Sequence, residues 1–98
     1  MTVIVVAYDI SRSDRRDRVA KLLFTMGLSR VERSLYVGRG GVAKARDIAR
    51  AVERLIDPET DVVDILVVPD VYWRSRITVG GGRKRVPGLA PSPYLHFA

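Results

Sequence analysis

The chain has 98 residues, the size of one domain, so a two-domain enzyme with a cleft between its domains is excluded. It contains no cysteine, which excludes disulfide bonds and thiolate metal sites. Its 17 basic and 11 acidic residues give a net charge of +6, and 14 of the 17 are arginine, whose planar guanidinium fits phosphate. Nucleic acid is therefore an expected partner, against the alternative of a basic surface that serves solubility.

Composition also bears on where the protein works. No uncharged apolar run approaches the roughly 18 residues of a membrane span, so we expect no membrane partner. No basic segment precedes the apolar residues 2–8, which therefore do not match a secretory signal, and we expect a cytoplasmic protein. Asparagine and glutamine are absent, as reported for heat-adapted proteins, which predicts a thermophilic source.

The chain begins with a predicted strand and helix. Residues 2–8 are β-branched and almost wholly apolar, a composition typical of a central strand that is buried on both faces. Ser11 and Ser13 are candidate N-caps for a helix whose apolar residues recur at helical spacing. Gly27 is placed to end this helix in the left-handed conformation that glycine adopts easily.

A second strand and a second helix follow. Residues 28–37 alternate only partly between apolar and polar side chains, which indicates a strand that is bent near Glu32. Residues 42–56 carry apolar side chains at helical spacing, and Pro58 is expected to stop this second helix.

Two more strands are predicted at residues 61–69 and 71–79, with Trp73 in the core. A ferredoxin-like α+β sandwich, a four-stranded antiparallel sheet with two helices, requires the order strand, helix, strand, strand, helix, strand. The chain fits that order only if the segment 28–37 is itself broken in two. On this interpretation residues 1–79 form one domain.

The last part of the chain reads differently. Residues 80–98 begin with three glycines and are rich in proline, so a packed helix is not expected there. Their end carries Tyr94, Leu95 and Phe97, which are too apolar for a simple solvated linker. We expect a C-terminal arm that is hinged at its glycines and covered by another surface.

Asp9 is the first candidate for chemistry. It follows a buried strand at the C-terminal end, where α/β sheets commonly place ligand groups. Its carboxylate can hold Mg²⁺, or it can simply cap the turn into the helix. One carboxylate holds a divalent ion poorly, and the helical phase of Asp14 points that residue away from the site. The metal interpretation therefore needs Asp9 of a symmetry mate.

Several other side chains are candidates for phosphate contact. Arg15 and Arg16 line the margin of the helix beside the strand end that carries Asp9, either to bind a phosphate or to cover the edge of the core with their stems. Further candidates lie on or beside the next strand or at the end of the first: Tyr8, Arg30, Arg33, Ser34 and Tyr36. Each of these also has a structural explanation. The one histidine, His96, lies in the arm, so a histidine relay is not expected.

Four short motifs lie between residues 8 and 38. They read YDIS from residue 8, RRDRVAKLL from residue 15, GL from residue 27 and RVERSLYVG from residue 30. Together they resemble the Cas2 family of small CRISPR-associated adaptation proteins. The resemblance implies a ferredoxin-like subunit in a two-fold homodimer, with the second strand broken in two. It also implies a C-terminal strand that adds to the partner's sheet.

The resemblance carries functional expectations as well. Cas2 proteins are described as metal-dependent endonucleases acting on RNA or double-stranded DNA, and also as scaffolds for the Cas1 integrase during spacer acquisition. The family's metal ligand falls on Asp9, and its other functional positions fall on Tyr8, Arg16, Arg18, Arg30, Ser34 and Tyr36. Glu32 and Arg33 depart from the family pattern, which has glutamine and an aromatic residue there, and Tyr36 replaces the common phenylalanine.

The sequence thus favours a Mg²⁺-dependent or Mn²⁺-dependent endonuclease that works as a homodimer with Cas1. The alternatives are a non-catalytic duplex-binding scaffold and a plain interaction domain. The expected catalytic residues are Asp9, which also holds the metal, Tyr8, Ser34 and Tyr36. The expected nucleic-acid-binding residues are Arg15, Arg16, Arg18, Arg30 and Arg33.

Overall fold

A computed structural model of the protein describes residues 1–81. The elements in chain order are β1 (Thr2–Asp9), α1 (Ser13–Thr25), β2 (Ser29–Glu32), β3 (Leu35–Arg39), α2 (Val42–Glu53), β4 (Val62–Pro69) and α3 (Asp70–Arg74). The expected arm lies outside the described residues from residue 82 onward.

The strands form one antiparallel sheet in the order β2-β3-β1-β4. β1 lies in the middle, with Val5 opposite Val37 of β3 and opposite Leu66 of β4. This strand order and the packing of α1 and α2 on one face of the sheet define the ferredoxin-like α+β sandwich that the sequence predicts.

The segment 28–37 is broken as the fold requires. β2 and β3 form a hairpin, and Arg33 and Ser34 make its two-residue turn. The register shifts between Arg30, which lies opposite Tyr36, and Glu32, which lies opposite Leu35. A bulge of this kind places two residues of one strand against one of the other, and it explains why the apolar alternation of this segment is only partial.

The core lies between the helices and one face of the sheet. Ile4 and Val6 of β1 are fully buried, and so are Leu23 of α1 and Ile48 of α2. Burying each such side chain contributes about 1.5–3 kcal/mol. Gly27 ends α1 with φ +89° as predicted, so the chain can turn at once from α1 into β2.

The opposite face of the sheet is also apolar. Val5, Val37 and Leu66 are register partners and therefore share this face. Val62 is 52% exposed and Leu66 48% exposed. β4 is thus an alternating strand, half-buried within one chain.

Three local predictions are wrong. Residues 71–79 do not form a strand: α3 begins at Asp70, whose carboxylate pairs with Arg74 at 3.0 Å, four residues on. Trp73 is half-buried outside the core, with the Arg76 guanidinium 3.9 Å from its ring centroid. Neither Ser11 nor Ser13 caps α1, because Arg12 holds the N-cap position with no side-chain hydrogen bond.

α2 ends at Glu53, earlier than the expected residue 56. The Leu55 amide donates to the Val52 carbonyl at 2.8 Å, a tightened bond that closes the helix ahead of Pro58. No helix in the described part of the chain is long and apolar enough to span a membrane.

Candidate active site and nucleic-acid interface

The C-terminal end of β1 sends its last two side chains to opposite sides of the sheet. Tyr8 is 9% exposed and belongs to the core cluster beneath the helices. Asp9 is the next residue along the strand, so its side chain lies on the other face. The predicted site residues are therefore divided between two faces of one sheet.

Asp9 is exposed at the end of the strand, opposite Val62 of β4. Within residues 1–81 its carboxylate takes part in no hydrogen bond or ion pair. The capping interpretation of Asp9 is wrong, because α1 starts at Ser13 after the N-cap residue Arg12. The carboxylate is consequently available to a ligand from solvent.

A second carboxylate lies on the same face. Asp64 of β4 is opposite Ala7, so it is the diagonal neighbour of Asp9 across the β1–β4 pair. Such diagonal neighbours lie roughly 7–8 Å apart. The described residues contain no group of three acidic or histidine side chains able to hold a metal. Two carboxylates fit a hard cation that keeps several waters, such as Mg²⁺, and leave the remaining ligands to water, phosphate or a second chain.

Five of the other predicted residues meet in a pocket of about 450 Å³ on the helix side of the sheet, which we call the basic pocket. α1 forms one wall and the β2–β3 hairpin forms the other. Its lining residues are Tyr8, Arg16, Asp17, Ala20, Arg30, Arg33 and Ser34. Two features bring these residues together. Arg30 lies opposite Tyr36 and shares its face of the sheet, and the Tyr8 amide donates to the Ser34 carbonyl at 3.1 Å.

Two tyrosines lie at the base of this arrangement. The ring centroids of Tyr8 and Tyr36 are 6.2 Å apart. The Tyr8 hydroxyl donates to the Arg33 carbonyl at 3.4 Å. Burial raises the pKa of Tyr8, and the Tyr36 hydroxyl adds to this, while Arg30 and Arg16 oppose it. Tyr8 therefore stays protonated at neutral pH and acts as a hydrogen-bond donor.

The arginines of the basic pocket have little competition from acidic groups. Arg16 donates from one terminal nitrogen to the Ile10 carbonyl at 3.1 Å, which leaves its other donors available. Neither Arg30 nor Arg33 forms an ion pair with a carboxylate of the described residues. Asp17 is the one acidic side chain of the lining, so three guanidiniums and one carboxylate leave two net positive charges.

Arg15 is placed differently from the other predicted arginines. Its Nε donates to Oδ2 of Asp61 at 2.7 Å, and the two side chains are 16% and 0% exposed. Asp61 also accepts from the backbone amides of Ser11 at 3.2 Å and Asp57 at 3.0 Å. The hydrogen bond from Arg15, followed by that from the Asp57 amide, holds the pKa of Asp61 well below its usual range.

Sequence reasoning missed Asp61 and Asp64 and placed Arg18 only by resemblance. Arg18 is exposed on α1 and is not part of the basic pocket lining. Asp64 had a signal in the sequence, because it alternates with Val63 and Ile65, which pack on the core. No sequence signal points to Asp61, since its partners Ser11 and Arg15 lie far away in sequence.

A larger cavity of about 600 Å³ lies beside the hairpin. It lies between Arg30–Leu35 and Arg76–Gly81. Two of its lining residues, Ile77 and Val79, are 60% and 77% exposed. Gly80 adopts φ +74°, a conformation that favours glycine. The described chain thus ends close to the hairpin.

The fold and these two sites define a class of protein: a small ferredoxin-like subunit with a basic pocket on one face and a pair of carboxylates on the other. Comparison with known proteins then specifies the family. The family model described as CRISPR associated protein Cas2 matches residues 1–76. The chain belongs to the Cas2 family.

Individual relatives agree with this assignment. The chain is 36% identical over 81 residues to a CRISPR-associated endoribonuclease Cas2 of Aeropyrum pernix, covering 83% of this chain and 88% of the relative. It is 37% identical over 78 residues to the protein of the same name from Thermofilum pendens, covering 80% and 84%. A 53-residue match at 40% identity covers 54% of this chain and 20% of a Cas1/Cas2 endonuclease fusion of Thermoproteus tenax.

Solved structures show the same fold. Streptococcus pyogenes Cas2, crystallised at pH 6.5, superposes with a TM-score of 0.69 at 26% identity, covering 80% of this chain and 99% of that chain. The hypothetical protein TT1823 of Thermus thermophilus gives a TM-score of 0.63 at 33% identity, covering 68% and 80%.

Proposed function

We propose that the protein is a metal-dependent endonuclease subunit of the CRISPR adaptation machinery, which cleaves phosphodiester bonds of RNA or double-stranded DNA and acts with Cas1. The observation that carries this proposal is Asp9, an exposed carboxylate at the end of β1 that engages no group in residues 1–81. Relatives named endoribonuclease, and a relative in which Cas1 and Cas2 are fused, support it.

Asp9 and Asp64 are the side chains that would hold Mg²⁺ or Mn²⁺. When bound, the ion supplies Lewis-acid polarisation of the phosphate and activation of a water molecule. On the other face of the sheet, Arg16, Arg30 and Arg33 neutralise phosphate charge. Ser34 contributes a hydroxyl donor that orients the nucleic acid. Tyr8 positions the Arg33 backbone through its hydroxyl, and Tyr36 supports the Tyr8 ring.

A homodimer is part of the proposal. Val5, Val37 and Leu66 give the sheet an apolar face, and a partly exposed apolar surface of this kind is typical of an interface. Because Asp9 lies on the same face, a two-fold axis through this face would bring Asp9 and the partner's Asp9 toward each other. The crossing of the arm 80–98 to the partner remains a prediction, since it lies outside the described residues from residue 82 onward.

The competing function is a non-catalytic duplex-binding scaffold for the Cas1 integrase. It is favoured by the small number of carboxylates near Asp9, because the described residues contain no group of three that could hold a metal. In that role the arginines would contact phosphates with little base readout.

The substitution Asp9→Asn separates the two functions. It removes the charge but keeps the size of the side chain, so the variant should fold and dimerise. For the endonuclease, Mg²⁺-dependent cleavage of RNA and duplex DNA is lost, and a chelator abolishes wild-type cleavage. Asp47→Asn, on the solvent side of α2, is the matched control and should cleave normally. Cleavage that survives both Asp9→Asn and chelator would overturn the nuclease, and integration with Cas1 that survives Asp9→Asn would support the scaffold.

A further inference from the structure

The basic pocket is built to hold a small anion. Its lining combines three guanidiniums with Tyr8 and Ser34, and Asp17 is its one carboxylate. Arginine offers donors only, and the Ser34 hydroxyl can donate as well, while the Tyr8 hydroxyl donates to the Arg33 carbonyl. The site therefore presents converging donors around a net charge of two positive units.

The basic pocket also lies apart from the carboxylates proposed to hold the metal. Tyr8 faces the helices and Asp9 faces the other side of the sheet. A phosphate in the basic pocket is thus not the phosphate attacked at Asp9. A nucleic acid that reaches both faces must pass around the end of β1.

The charge of the basic pocket favours the end of a strand over its middle. α1 and the β2–β3 hairpin wall it on two sides, and the largely buried Tyr8 lies at its base. A phosphodiester carries one negative charge, whereas a terminal phosphate monoester has one ester bond and three free oxygens. At neutral pH the monoester carries a charge of about −1.5 to −2, because its second pKa is about 6. That charge matches the two net positive charges of the lining.

We propose that the basic pocket binds the terminal phosphate monoester of a nucleic-acid strand and so makes the protein prefer phosphorylated ends. The inference rests on the proposed function only in that the protein binds nucleic acid, and it doesn't require cleavage. Arg30 and Arg33 hold the phosphate from the hairpin and Arg16 holds it from α1.

The test compares short duplexes of one sequence that carry a 5′-phosphate, a 3′-phosphate or hydroxyl ends, with binding to the Asp9→Asn protein measured by fluorescence anisotropy. We expect at least one phosphorylated end to bind about tenfold tighter than hydroxyl ends, the effect of a few charge-assisted hydrogen bonds. The comparison between the duplex with a 5′-phosphate and the duplex with a 3′-phosphate shows which end is recognised. Equal affinity for all three duplexes would overturn the inference and leave the proposed function standing, while no binding to any of them would overturn both.

A substitution and its control test whether the basic pocket causes the preference for phosphorylated ends. Arg30→Gln should reduce the ratio of affinities for phosphorylated and hydroxyl ends to about one. Arg46→Gln removes a similar charge from the exposed face of α2 and should keep the ratio. Melting curves establish that both variants fold. A ratio that is unchanged in Arg30→Gln would place the recognition outside the basic pocket.

The pH dependence gives a second readout. As pH falls from 7.5 to 5, the monoester takes up a proton near its pKa of about 6, so the preference should decline. The charged and titratable groups that face the phosphate are Tyr8 from β1, Arg16 and Asp17 from α1, Arg30 from β2 and Arg33 from the turn. Arginine stays charged over this range, and the duplex with hydroxyl ends corrects for changes in the protein itself. A ratio that is independent of pH would contradict recognition of the dianion.

Discussion

Arg15, in the first turn of α1, and Asp61, just before β4, join two segments that are distant in the sequence. The Arg15 Nε lies 2.7 Å from Oδ2 of Asp61, and the carboxylate also accepts from the Ser11 amide and hydroxyl. Asp61 precedes β4, whereas Ser11 lies in the turn between β1 and α1. This ion pair therefore fixes the turn that follows Asp9. It also fixes the start of α1, whose Arg16 lines the basic pocket.

Asp61→Asn should destabilise the protein strongly near neutral pH. Asparagine keeps one acceptor oxygen but leaves the Arg15 guanidinium, which is 16% exposed, without a counter-charge. We expect a decrease in melting temperature on the order of 10 °C, measured by circular dichroism. The exposed pair of Asp47 and Arg50 provides the control, because Asp47→Asn should shift the melting temperature by about 2 °C or less.

The same pair predicts a pH dependence. The pKa of Asp61 is lowered in the folded state, so its contribution to stability is present above its unfolded pKa, about 4, and is lost as pH falls through the folded value. The difference in melting temperature between wild type and Asp61→Asn should therefore be constant from pH 8 to pH 5 and shrink below pH 4. A difference that shrinks between pH 8 and pH 6 would mean that another group governs it.

A charge on the sheet face opposite the helices should separate the proposed dimer. Leu66 is 48% exposed opposite Val5, and an aspartate there would bury unpaired charge in the proposed interface. We expect Leu66→Asp to give a monomer by analytical ultracentrifugation, at concentrations at which the wild type is dimeric. Phe24, which is 73% exposed on α1, is the control, and Phe24→Asp should remain a dimer. A dimeric Leu66→Asp protein would place the interface elsewhere.

Local sequence patterns predict most of the helices and strands. They do not predict the residues whose positions depend on tertiary contacts. The break in residues 28–37 follows from the strand order that a ferredoxin-like fold needs, and the turn at Arg33 and Ser34 supplies it. The apolar alternation of residues 71–79 favours a strand, but a helix begins directly after Pro69. Asp61 depends on Arg15, 46 residues away, a contact that no local pattern encodes.

Binding to duplex nucleic acid should fall steeply with salt and depend little on sequence. Each phosphate contacted contributes a slope of about −0.9 to the log-log plot of affinity against salt. Arg18→Gln should reduce the magnitude of the slope by about one, because Arg18 is exposed on α1 and free to contact phosphate. Arg15→Gln tests the role predicted from sequence: the pairing with Asp61 leads us to expect an unchanged slope and a lower melting temperature. A slope near zero for the wild type would show that the basic surface does not contact phosphates.

Asp64→Asn tests whether the second carboxylate takes part in metal binding. Asp64 is the diagonal neighbour of Asp9 on the sheet face opposite the helices, so we expect it to hold the ion directly or through water. Its loss should raise the Mg²⁺ concentration needed for half-maximal cleavage by about 10–100-fold, with cleavage recovered at high Mg²⁺. Glu53→Gln, which removes an exposed carboxylate at the end of α2, should leave the metal requirement unchanged. The readouts are cleavage against Mg²⁺ concentration and direct Mn²⁺ binding by electron paramagnetic resonance without substrate. If Asp64→Asn binds Mn²⁺ and cleaves as the wild type does, the remaining ligands of Asp9's metal must come from the partner or the nucleic acid, and one chain contributes Asp9 alone.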